Sequence, residues 1–167
     1  AAGTIGSGND NPNAQPEVLV AIGGLAGTSA TTGLRTPTIT RTRFVVGTTA
    51  NTDFTANDAN AQIEVEITFD EQVTVTGSPQ LTVTNNDASG GGYGNLTLAY
   101  VSADSTANQL RFRKTSAGIG NTDVLTVSTL ALNGGTIRDT AAAAAGNTVN
   151  ATLTYGSGIA VSKTVSS

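Results

Sequence analysis

The chain contains no cysteine, histidine, methionine or tryptophan, and each absence closes a route. Without cysteine there is no disulfide and no thiolate nucleophile. Without histidine the usual zinc ligands and the imidazole base disappear together. Aromatics are scarce, at three Tyr and four Phe, so a stacking platform for sugars is lacking. The eight basic residues are scattered and outnumbered by twelve acidic ones, for a net charge of −4. That leaves no electrostatic footprint for nucleic acid or anionic lipid. The longest apolar run, VLVAI at 18–22, falls well short of the roughly 18 residues that a membrane-crossing helix needs. These exclusions predict a protein that is not an enzyme, holds no cofactor, binds no nucleic acid and inserts into no membrane. The lack of methionine also implies a processed N-terminus, and Ala1 fits either loss of an initiator or cleavage of a leader.

What is present is enough for one economical core. Leu, Ile, Val and Phe supply 37 of 167 residues, just above the roughly 20% below which chains tend to stay unfolded. Residues 1–42 hold three of the four prolines with clustered Gly, Asn and Ser, the composition of an extended arm that cannot order itself. Its one apolar run, Val18, Leu19, Val20, Ala21 and Ile22, is the segment expected to add to a sheet edge or lie across a neighbour. From Phe44 onward the period becomes two. Ile63, Val65, Ile67 and Phe69 alternate with Glu64, Glu66, Thr68 and Asp70, as in a half-buried strand. Val73/Val75, Leu81/Val83, Leu96/Leu98/Tyr100, Leu110/Phe112, Val149/Leu153/Tyr155 and Ile159/Val161/Val165 continue it between Gly, Asn and Asp clusters. The pattern predicts an all-β, antiparallel β-sandwich over 43–167. AAAAA at 141–145 is too short for a stable helix and is expected to be a loop or single turn.

The runs EVEITFDEQVTVTGSPQLTVTN, LAYVSADSTANQLRFR and VSTLALNGGTIRDTAAAAAGNTVNATLT resemble, in order, the repeat found in tandem in long bacterial surface proteins and adhesins. The similarity covers about residues 61–155, with LNGGTIRD at 132–139 its most specific part. It implies an immunoglobulin-like fold. The repeat normally recurs many times, whereas this chain has one copy behind an arm. Single domains of this kind also occur on tailed-bacteriophage virions, including those of cyanophages, as cement, decoration or knob subunits. The resemblance therefore implies a virion-surface protein that binds a major capsid or other virion structural protein and self-associates. The alternative is an extracellular adhesin or filament subunit assembled by strand exchange.

Several residues invite a chemical reading. Glu64 and Glu66, two apart on a strand, place carboxylates about 7 Å from each other, as an acid/base pair needs. A solvated strand face is the simpler reading, and the same holds for Asp70 and Glu71 at the strand end. Asp53, Asp58, Asp87, Asp104, Asp123 and Asp139 fall in expected loops and offer hard oxygens to calcium. No EF-hand spacing occurs, and in GGYGNLTLA at 91–99 Leu96 stands where the nonapeptide calcium repeat needs Asp. Calcium is thus a minor alternative and no residue is assigned as a metal ligand. GGLAGTSATTG at 23–33 lacks the lysine of a phosphate loop. SGGGYG at 89–94 reads as a mobile hairpin tip whose exposed Tyr93 is a candidate partner contact. Arg35, Arg41 and Arg43 bracket the end of the arm and join the partner-binding candidates. Arg111, Arg113 and Lys114 form a second basic cluster. Alternation around Phe112 puts Arg111 and Arg113 on an outer face, either as ordinary surface charge or facing Glu64 and Glu66 across the sheet or on another subunit. The sequons NLT at 95–97 and NAT at 150–152 are chance products of an Asn- and Thr-rich chain.

Overall fold

The computed structural model describes residues 37–47, 49–50, 53–140, 150–151 and 161–167. The VLVAI segment, Arg35, the alanine run and Val149, Leu153, Tyr155 and Ile159 lie outside them. Eleven strands are described: β1 (Ile39–Val46), β2 (Thr49–Ala50), β3 (Phe54–Thr55), β4 (Asn57–Phe69), β5 (Val73–Thr76), β6 (Gln80–Asn85), β7 (Leu96–Tyr100), β8 (Gln109–Ile119), β9 (Val124–Ala131), β10 (Thr136–Asp139) and β11 (Ser162–Ser166). A single 3-10 turn, Ser102–Asp104, precedes β8.

Nine strands form one curled sheet in the order β2-β1-β4-β8-β7-β6-β9-β11-β3, and β5 with β10 forms a second, small sheet. All pairings are antiparallel except β11 with β3. The described part of the chain is therefore all-β, as its period of two requires. Curling brings the two ends of the large sheet together, where Phe44 of β1 meets Phe54 of β3 edge to face at 5.3 Å. Val73 of β5 and Ile137 of β10 enter the same core as Ile63, Val65, Ile67 and Phe69 of β4. Each large apolar side chain removed from water there contributes roughly 1.5–3 kcal/mol before the entropy of ordering it.

Two bulges correct the alternation where the sequence breaks phase. In β1, Ile39 pairs with Phe69 but Arg41 pairs with Thr68, so Thr40 is the extra residue. Ile39, Thr42 and Phe44 can then all be buried while Arg41 and Arg43 stand on the outer face. In β9, Val127 opposes Val83 and Thr129 opposes Thr82, which leaves Ser128 over. Leu125, Val127 and Leu130 are all buried as a result. Strand β1 starts at Ile39, so residues 39–42, counted by composition with the arm, are part of the sheet.

Candidate functional site

The outer face of β1, β4 and β8 carries the densest chemistry among the described residues. Register places Glu66 opposite both Arg43 on β1 and Arg111 on β8, and Glu64 opposite Arg113. Glu66 takes Arg41 at 3.2 Å and Arg43 at 2.8 Å on Oε1, and Arg111 at 2.9 Å on Oε2. Glu64 takes Arg111 at 2.8 Å on Oε1 and Arg113 at 2.9 Å on Oε2. Arg113 continues to Asp104 at the end of the 3-10 turn, and Arg111 also donates to the Gly47 carbonyl of the β1–β2 connection. Hydrogen bonds to Glu64 and then Asp104 push the Arg113 guanidinium above its ordinary value.

Glu64 and Glu66 are not solvated; they are 2% and 1% exposed. An alternating Glu-x-Glu looks the same from sequence whether water or arginine covers it. The cross-sheet pairing is the alternative realised for Arg111 and Arg113, and Arg41 and Arg43 complete it from the other side. Every carboxylate oxygen of Glu64 and Glu66 accepts from a guanidinium, so neither has a lone oxygen poised to take a proton from a substrate. The face is a staple across three strands. Beside it lies a cleft of about 280 Å³ lined by Gly47, Glu64, Asp104, Arg111 and Arg113.

A second knot ties the connection between β6 and β7 to that between β8 and β9. Asp123 is wholly buried. Its Oδ1 accepts from Ser89 N–H at 2.8 Å, and its Oδ2 accepts from Gly120 N–H at 2.8 Å and Asn85 Nδ2 at 2.9 Å. Burial alone would raise its pKa, but the hydrogen bonds from Gly120, Ser89 and Asn85 hold it at about 2. Asp87, at φ 49°, accepts from Gly92 N–H at 3.0 Å and Tyr93 N–H at 3.1 Å. The SGGGYG segment is thus a laced loop rather than a free hairpin tip. Tyr93 is half-buried rather than exposed, its ring lying beside Gly91 and Gly120. The sequence signal was available: Asn85, Asn86 and Asp87 are the residue types that bond their own loop backbone.

Among the loop aspartates, Asp87, Asp104, Asp123 and Asp139 do not converge, and the Asp58 side chain lies outside what the structure describes. Asp104 serves Arg113, Asp87 and Asp123 serve loop amides, and Asp139 ends β10. Among the described residues no three acidic side chains gather as a metal site. No family model, curated protein or solved structure matches the chain. The likeness to the adhesin and virion repeat rests on the motif residues alone.

One of those motifs has a physical basis in the fold. In LNGG, Asn133 and Gly134 take φ 48° and 78°, and Gly135 N–H donates to the Leu132 carbonyl at 2.8 Å. This is the Asn-Gly chemistry of a type I′ turn. The turn seats against Gly77, where a Cβ would fall 2.8 Å from the Gly135 Cα. The two glycine-bearing turns therefore need each other.

Proposed function

We propose that this protein is a non-enzymatic assembly subunit, a decoration or cement protein on the surface of a tailed-bacteriophage particle. In this reading the β-body seats on a capsid or other virion structural protein, and the residues before β1 reach over neighbouring subunits. The observation that carries it is how the fold uses its ionisable groups. Arg41, Arg43, Arg111 and Arg113 with Glu64, Glu66 and Asp104 lock strands together, which suits a body that transmits load. The virion setting comes from the motif resemblance. Repetition on a lattice would turn weak single contacts into firm attachment.

The competing reading, a secreted filament or adhesin subunit built by strand exchange, needs an inviting sheet edge. The edge that β1 offers before β2 pairs with its end at Val45 and Val46 is a poor one: Thr40 bulges, Pro37 precedes the strand, and Arg41 and Arg43 line it. Those are devices that blunt edges against pairing. The test is deletion of residues 1–36, which leaves β1 whole, followed by co-sedimentation with particles lacking this protein. Full-length chain that pellets while the truncated chain stays in the supernatant supports the arm mechanism. Equal pelleting of both would refute it.

A further inference from the structure

The turn between β4 and β5 holds a carboxyl group that the ladder and loop knots do not use. Glu71 is half-buried, and its Oε1 is closed off from solvent with no hydrogen-bond partner. The charges that act on it are negative: Asp139 at the end of β10, and Asp70 beside it on the turn. Among the described residues, the other segments against this turn bring no countercharge. The loop at 107–108 supplies only carbonyls, from Asn108 to Phe69 N–H at 2.9 Å and from Ala107 to Val73 N–H at 2.7 Å. Arg138, next to Asp139, is turned to Asn150 Oδ1 at 3.3 Å. The start of β1 is clamped by Asp70, whose Oδ1 accepts from Thr38 N–H at 2.8 Å and whose Oδ2 accepts from Thr38 Oγ1 at 2.6 Å. On the other side, Thr140 N–H donates to the Gln72 carbonyl at 2.9 Å and the Thr74 and Thr140 hydroxyls bond at 3.0 Å.

We propose that the β4–β5 turn is a proton-operated latch on the point where residues 1–36 join the sheet. With its proton on, Glu71 is a neutral group that can donate, and the turn holds both the start of β1 and the end of β10. Losing the proton sets a third negative charge between Asp70 and Asp139, and the Thr38 clamp and the Thr140–Gln72 bond open more often. Desolvation, then Asp139 and Asp70, raise Glu71 from 4.5 to about 7, which places the change near neutrality. The latch is independent of what residues 1–36 bind.

The experiment is amide hydrogen exchange of the full chain at Thr38 and Thr140 between pH 5.5 and 8.5, corrected for the intrinsic base-catalysed rate. Protection should fall about tenfold across that range, the change that one pK unit of differential stabilisation produces. In Glu71→Gln it should be flat, and in Asp139→Asn the midpoint should move to lower pH, because the negative charge that opposes ionisation of Glu71 is gone; a midpoint that stays in place or rises in Asp139→Asn would contradict the latch. Protection that does not change with pH in the native chain, or that changes equally in Glu71→Gln, overturns it.

Discussion

At the scale of single residues, the fold accepts a few local penalties. Thr42 is 6% exposed and its hydroxyl has no hydrogen-bond partner among the described residues. An unmet buried hydroxyl costs on the order of 1–3 kcal/mol. Thr42→Val keeps the shape and removes the unmet group, so it should raise the unfolding free energy by about 1 kcal/mol in urea titration. Thr122 is another: a β-branched residue at φ 71°, held there because its N–H donates to the Val165 carbonyl at 2.9 Å while Asp123 beside it fastens the same turn. The buried pair Glu64 and Glu66 follows the opposite rule, since each is stabilising only while its arginines remain.

At the scale of elements, the turns decide which strands can meet. Gly135→Ala would drive its new methyl into the Thr76 carbonyl, whereas a Cβ at Gly134 meets open space. Gly134→Ala should cost only about 1–2 kcal/mol, the penalty of a left-handed backbone. Gly135→Ala should cost more, roughly 3 kcal/mol or above, because two backbones must separate. Thermal melts of the two variants side by side check the difference. LNGG stood out in the sequence only as a motif, though its Asn-Gly pair is turn chemistry, whereas the inward face of β4 was legible because a period of two is a local pattern. The burial of Glu64 and Glu66 was not, because the cover comes from residues more than twenty positions away in sequence. A trace did exist in the equal spacing of Arg41-x-Arg43, Glu64-x-Glu66 and Arg111-x-Arg113. The bulges at Thr40 and Ser128 show as phase breaks in the apolar pattern, and what they accomplish emerges only with the neighbouring strand's register.

At the scale of the whole molecule, two carboxyl groups set the response to pH in opposite directions. Glu71 has a folded value of about 7 against 4.5, so the folded chain binds the extra proton between those values and stability falls as pH rises through them. Asp123 has a folded value of about 2 against 3.8. Its contribution is present above 3.8 and is lost as pH falls toward 2. Of melts recorded at pH 8, 4.5 and 2.5, the one at pH 4.5 should be highest, and Glu71→Gln should flatten the alkaline limb. The charged face, by this account, holds the β-body together. The most direct measurement is a double-mutant cycle in urea with Glu66→Gln, Arg111→Met and both together. The account predicts that Glu66→Gln alone costs about 3–5 kcal/mol, the loss expected when a buried pair is broken, with a large coupling to Arg111. A Glu66→Gln variant within about 0.5 kcal/mol of the native chain, the range of an ordinary surface substitution, would contradict it.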